Sequence, residues 1–147
     1  MPRSLGSLFA VAALLPVSSI HGAVRATPAC TVTGTPRADF ISGTPGNDVI
    51  CGLGGSDRID GSGGNDVLIG GPGADALSGN GGNDVLYGGP GDDRLQGDRG
   101  RDTVYGGDGS DLIWAWDGYS DRLYGGPGID RAWTDPLDHV SGVERRR

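Results

Sequence analysis

Aspartate recurs at residues 39, 48, 57, 66, 75, 84, 93, 102 and 111, every step nine residues long. Two positions after each stands an aliphatic residue, from Ile41 and Ile50 through to Val104 and Ile113. Two positions before each stands glycine, except at Arg37. The blocks from 34 to 114 read GTPRADFIS, GTPGNDVIC, GLGGSDRID, GSGGNDVLI, GGPGADALS, GNGGNDVLY, GGPGDDRLQ, GDRGRDTVY and GGDGSDLIW. A one-residue insertion follows, and the pattern resumes at Asp121-Arg122-Leu123-Tyr124. It continues with GGPGIDRAW at 125–133 and decays through Asp138-His139-Val140. Such a period restricts the fold more than local propensity does, because each block must take one shape and bury its apolar residue against its copies.

The shape follows from the block. Glycine in the first and fourth places permits positive φ, so six residues can turn tightly. The last three residues, x-aliphatic-x, alternate as a strand does, with the middle side chain pointing one way and its neighbours the other. A lone three-residue strand has no stability. Stacked copies pair their backbones and bury an aliphatic ladder. Turn and strand alternate every nine residues, so two blocks make one coil of 18. Odd and even blocks then form two opposed parallel sheets of short strands. The expected fold class is all-β, a right-handed parallel β-roll. Composition agrees: the acidic residues are eighteen Asp and one Glu, Glu144, and 30 residues are Gly, a balance that suits turns rather than helices.

The blocks resemble the hemolysin-type, or RTX, calcium-binding repeat, whose consensus is GGxGxDxUx with U aliphatic. The likeness covers residues 34–133. It implies calcium held between neighbouring turns on the same side, that is, between repeats i and i+2, with position-six carboxylates and loop carbonyls as ligands. The chemistry of the residues is consistent with this. Calcium takes 6–8 hard oxygen ligands in irregular geometry. Soft metals favour His or Cys, which the repeats nearly lack, and magnesium demands a smaller, near-octahedral site. The expected metal ligands are Asp48, Asp57, Asp66, Asp75, Asp84, Asp93, Asp102 and Asp111. Asp121 and Asp130 are expected ligands as well, although they follow the insertion, which is expected to disturb their register. Asp39 is set apart by Arg37 in the turn-glycine place. Asp60, Asp92, Asp98 and Asp108 stand off position six and read as solvated surface charge. One aliphatic side chain per nine residues makes a thin core against the entropy of ordering nine residues. Folding coupled to calcium is therefore expected.

The ends differ from the array. Arg3 precedes a mostly apolar stretch from Leu5 to Val17, too short to span a bilayer. Val24-Arg25-Ala26 offers a signal-peptidase site. Residues 1–26 therefore read as a signal peptide for secretion to the extracellular space, leaving no membrane span. The alternatives are cleavage after Ala23 and retention as an uncut anchor. Residues 27–33 read as an N-terminal cap and 134–147 as a degenerate repeat and tail. Cys30 and Cys51 are expected to pair in an oxidising compartment, the alternative being two free thiols.

Net charge is −7, and the cations are all Arg. An acidic body argues against nucleic acid as a partner. HExxH, GxSxG and the P-loop pattern are absent from the sequence, so no enzymatic activity is expected. His21 lies in the candidate signal, and His139 reads as a solvated residue of the degenerate repeat. On the even sheet, Val49, Val67, Val85, Thr103 and Arg122 alternate with Cys51, Ile69, Tyr87, Tyr105 and Tyr124 on the outward face. That apolar and aromatic stripe makes a calcium-dependent adhesion or assembly module the alternative reading. Its partner would be a second copy, a polysaccharide or a surface protein. The plainer account is that such residues favour strands and stack on their neighbours. Trp114, Trp116, Tyr119 and Trp133 are expected to cover the last coil.

Overall fold

The computed structural model describes residues 28–143 and the backbone of Arg145–Arg146. The candidate signal peptide, 1–26, lies outside the described residues. The strands are β1 (Val32–Thr33), β2 (Phe40–Ser42), β3 (Val49–Cys51), β4 (Arg58–Asp60), β5 (Val67–Ile69), β6 (Ala76–Ser78) and β7 (Val85–Pro90). They continue with β8 (Arg94–Gln96), β9 (Thr103–Asp108), β10 (Leu112–Ala115), β11 (Arg122–Tyr124), β12 (Arg131–Thr134), β13 (His139–Ser141) and β14 (Arg145–Arg146). Successive strands alternate between two seven-stranded sheets, ordered β1-β3-β5-β7-β9-β11-β13 and β14-β12-β10-β8-β6-β4-β2. The strand pairs are parallel. This is the parallel β-roll expected from the period.

Register follows the coil length. Ile50 stands opposite Leu68 and Ile59 opposite Leu77, one coil apart. The insertion lengthens one coil without shifting the pairs: Val104 faces Leu123 and Ile113 faces Ala132. The next coil is shorter, with Leu123 opposite Val140. The aliphatic ladder fills the space between the sheets. Ile50, Leu68, Leu86, Leu95, Val104, Ile113 and Leu123 are fully buried, and Val32 and Val140 pack against the two ends. Cys30 and Cys51 form a disulfide with their Cα atoms 5.9 Å apart, fastening the segment before β1 to β3.

The turns use glycine differently from the sequence expectation. Positive φ falls at the second and fourth places of the turn, not at the first. The second place is taken by Leu53, Ser62, Asn80 and Asp98 as well as by Gly71, Gly89 and Gly107. First-place glycines serve close approach instead. A Cβ on Gly79 would stand 2.8 Å from the Gly97 carbonyl oxygen and collide with Oδ2 of Asp84. The first two turns, 34–39 and 43–48, contain no residue with positive φ. Arg37 therefore occupies the fourth place without strain.

This geometry separates two neighbouring glycines. Gly81 has no atom within 4 Å of its missing Cβ and no positive φ. Gly79→Ala is expected to destabilise the calcium-loaded roll by about 1–3 kcal/mol or more, and Gly81→Ala by no more than about 0.5 kcal/mol. Thermal melts in excess calcium check this; equal losses would refute the close-approach role.

Candidate metal centre

Position six precedes each strand, so stacking the coils stacks its carboxylates into two rows. One row runs Asp39, Asp57, Asp75, Asp93, Asp111, Asp130, and the other Asp48, Asp66, Asp84, Asp102, Asp121. All ten expected ligands, Asp48 to Asp130, are buried. Each row is held by one repeated bond. The amide of each aspartate donates to Oδ1 of the aspartate one coil on: Asp48 to Asp66 at 2.8 Å, Asp57 to Asp75 at 2.7 Å, Asp93 to Asp111 at 2.9 Å. The insertion does not break the rows, because Asp102 donates to Asp121 and Asp111 to Asp130, both at 2.8 Å. The disturbance expected at Asp121 and Asp130 is absorbed in the loop.

The second oxygen is what makes the rows a candidate metal centre. Oδ2 of Asp57, Asp66, Asp75, Asp84, Asp93, Asp102, Asp111 and Asp121 is buried and receives no hydrogen bond. A buried charged oxygen without a partner is costly unless a cation or proton meets it. Six of these oxygens, those of Asp57, Asp66, Asp75, Asp84, Asp93 and Asp111, also share their hole with a backbone carbonyl. Oδ2 of Asp75 and the carbonyl oxygen of Gly88 both lie within 3.0 Å of the point where Gly70 lacks a Cβ. The same pairing recurs at Gly88, between Asp93 and the Gly106 carbonyl. The donors are therefore all oxygen, part carboxylate and part carbonyl, which fits a hard cation such as calcium.

Burial and like charge leave their mark on the carboxyls. Desolvation, opposed by the amide bond and reinforced by neighbouring carboxylates, pushes Asp84 and Asp111 up to about 6 and Asp93, Asp102 and Asp121 up to about 7. Asp48 behaves in the opposite way. The amide and hydroxyl of Thr44 donate to its Oδ2 at 2.6 and 2.8 Å and hold it below the ordinary carboxylate range. The amide and hydroxyl of Thr35 likewise donate to Oδ2 of Asp39, at 2.6 and 2.8 Å. The two N-terminal turns thus satisfy internally the oxygen that the turns from Asp57 to Asp121 leave bare.

Several residues outside the rows have roles that the sequence reading missed. The fifth place carries a side-chain ladder on the turns, with Asn47 accepting from the Asn65 amide and Asn65 from the Asn83 amide, both at 2.7 Å. Asp92 belongs to it, accepting from the Ser110 amide at 2.8 Å. Asp60 accepts from Asn80 and Asp98 from Ser78, each at 2.8 Å. These bonds tie neighbouring coils together, although Asp92 remains exposed as expected of a surface charge; their signal was only the recurrence of short polar residues. Asp117, in the insertion, brings a carboxylate oxygen within 4.8 Å of those of Asp102 and Asp121. Tyr87, Tyr105 and Tyr124 stack face to face with centroids 4.9 Å apart, as do Trp114 and Trp133 at 5.1 Å. Trp116 and Tyr119 are exposed and do not cover the last coil.

The profile of the RTX calcium-binding nonapeptide repeat, four copies long, matches residues 33–68, 52–86, 60–95, 87–120 and 117–135. The chain belongs to the RTX calcium-binding repeat family. No curated protein and no solved structure gives a significant match. The RTX repeats give this chain calcium as its ion and the β-roll as the scaffold that binds it. Among the described residues, no helix is long and apolar enough to cross a membrane.

The raised carboxyls set a pH window. A folded carboxyl lifted above its unfolded value binds a proton more tightly in the roll. In the ion-free roll that contribution is complete below about 4 and is lost as pH rises through about 6 to 7. Calcium must displace those protons. Affinity is expected to climb between pH 5 and pH 8, with protons released on binding at pH 6 and few at pH 8. Calorimetry in buffers of different ionisation enthalpy reads both, and a pH-independent affinity would refute it.

Proposed function

We propose that this RTX chain is a secreted protein in which calcium is a component of the fold. The row of buried Oδ2 atoms carries this reading. Without cations the rows stack carboxylate on carboxylate. Their tendency to hold protons near neutral pH expresses the same cost. The core cannot offset much of it, being one aliphatic side chain deep per block. Ligand sets of this type assemble only when the coils stack, so binding energy is folding energy. The ions are assigned to turns from Asp57 to Asp121, where Oδ2 is bare, and Asp48 serves with Thr44 as an internally satisfied first coil.

Export supports the coupling. The candidate signal at 1–26 would carry the chain out unfolded from a calcium-poor interior, and millimolar calcium outside would fold it. The proposed role is that of a calcium-binding structural module, without catalysis. In a calcium titration followed by circular dichroism, the chain in chelator is expected to be largely disordered and to gain a cooperative β signal as calcium is added. A full β signal persisting in chelator would contradict the coupling.

A second reading, adhesion or assembly through the even-numbered blocks, is favoured by one observation. Tyr87, Tyr105 and Tyr124 remain 36–39% exposed along the outer face of their sheet. Their stacking turns ring faces toward one another, which leaves edges and hydroxyls for a polysaccharide, a surface protein or a second copy. The stack is assigned to strand stability. Replacing Tyr87 and Tyr105 together by Ser is expected to lower the melting temperature and leave oligomeric state and glycan binding unchanged. Loss of self-association or of glycan binding would favour the second reading.

A further inference from the structure

The insertion departs from the repeat in three linked ways. Ala115 stands in the first place of its block, where glycine stands in the blocks from 34 to 114. One residue is added before the position-six aspartate, Asp121. The third place, which is Pro, Gly or Arg in the first eight blocks, is Asp117. The backbone registers the change locally: the Gly97 amide reaches the Trp114 carbonyl at 3.4 Å, against 2.9 Å for the corresponding bond from Gly79 to Gln96. The atoms nearest the missing Cβ of Gly97 all belong to Asp102, whereas at Gly88 and Gly106 a carbonyl of the next coil is among them.

Asp117 turns inward at this altered place. Its Oδ1 accepts from the Tyr119 amide at 2.8 Å, which fixes the side chain against its own loop. Its Oδ2 is buried and receives no hydrogen bond. Asp102 and Asp121, 2% and 1% exposed, each present an Oδ2 in the same condition. One carboxylate oxygen from each of the three lies within 4.8 Å of the other two, and among the described residues this is the one group of three acidic, His or Cys side chains so disposed. The backbone around it is also committed, with the Gly118 amide bonded to Asp135 at 2.8 Å.

We propose that Asp102, Asp117 and Asp121 form a three-carboxylate calcium site, built by the insertion and distinct from the sites of the regular repeat. Asp117 is a further ligand there, outside position six. The proposal rests on the calcium reading given above and adds to it a difference among sites. A carboxylate in place of a neutral ligand raises affinity for a hard cation, since ligand charge count is a main determinant of calcium affinity. This site fills first on titration. In a stacked array, where order spreads between neighbours, the first filled site is also where folding starts, at the C-terminal end of the roll.

The test is calcium calorimetry on the full chain, with Asp117→Asn beside Asp108→Asn. Asp108 occupies the same third place one block earlier and is exposed, so the two variants lose equal charge. Asparagine keeps the oxygen that caps the Tyr119 amide and removes only the charge. Asp117→Ser, which retains a capping oxygen in a smaller side chain, is a second variant should the first fold poorly. The tightest calcium phase is expected to weaken by about tenfold or more in both Asp117 variants, with the weaker phases unchanged and Asp108→Asn behaving as wild type. Terbium luminescence excited through tryptophan, favoured by the neighbouring Trp116, is expected to lose its tightest phase in parallel. Asp117 variants that bind like Asp108→Asn overturn the proposal while the calcium reading stands. A wild-type chain that takes up no calcium overturns both.

Discussion

Each coil is tied to the next by a charged hydrogen bond, from the amide of one position-six aspartate to Oδ1 of the aspartate one coil on. That bond fixes the carboxylate plane and therefore the direction of the other oxygen. With Oδ1 committed to the stack, Oδ2 is left in a buried hole beside a glycine carbonyl. First-place glycine follows from the same geometry, because a Cβ would occupy that hole. The aspartate thus joins coils through one oxygen and creates, through the other, a need for a cation. Stacking and ion binding are two consequences of one side chain's placement.

The ends of the rows show the constraint relaxed. In the first two turns, threonine supplies an amide and a hydroxyl to Oδ2. The turn changes conformation there, needs no left-handed residue and accepts Arg37. These coils also carry the disulfide and the short strand β1, so the N-terminal end is held by a covalent link and by threonine hydrogen bonds to Oδ2. At the opposite end the acidic density rises. Asp121 meets Asp117, Asp138 and Asp135, and the first two of its coils beyond the insertion differ in length.

Most of the fold was legible because the period is geometric. Nine residues between aspartates, with an aliphatic residue two places on, determined the alternation of sheets, the coil length and the buried ladder, and the pairs Ile50–Leu68 and Ile59–Leu77 stand where that spacing puts them. The carboxylate rows were legible for the same reason. Details that depend on one atom's surroundings were not. Whether an Oδ2 is bare or bonded turns on a threonine hydroxyl four residues away, so Asp48 looked like its successors. The insertion read as damage to register, yet its extra length is taken up in the loop and Asp121 and Asp130 remain in line. Asp117 carried a signal only jointly with Ala115, through a lost glycine and a gained carboxylate in the same block. Asp92 and Asp60 read as surface charge because a hydrogen bond across coils leaves no trace in spacing.

If cations complete the fold, the chain without them should be expanded as well as lacking strands. Small-angle X-ray scattering of residues 27–147 measures this directly, in chelator and in millimolar calcium. The expected result is a radius of gyration near 35 Å in chelator, the scale of an unfolded chain of this length, falling to less than about 20 Å with calcium. A chain equally compact in both conditions would show that the stacked carboxylates tolerate one another without ions, and would contradict the claim that calcium is part of the structure.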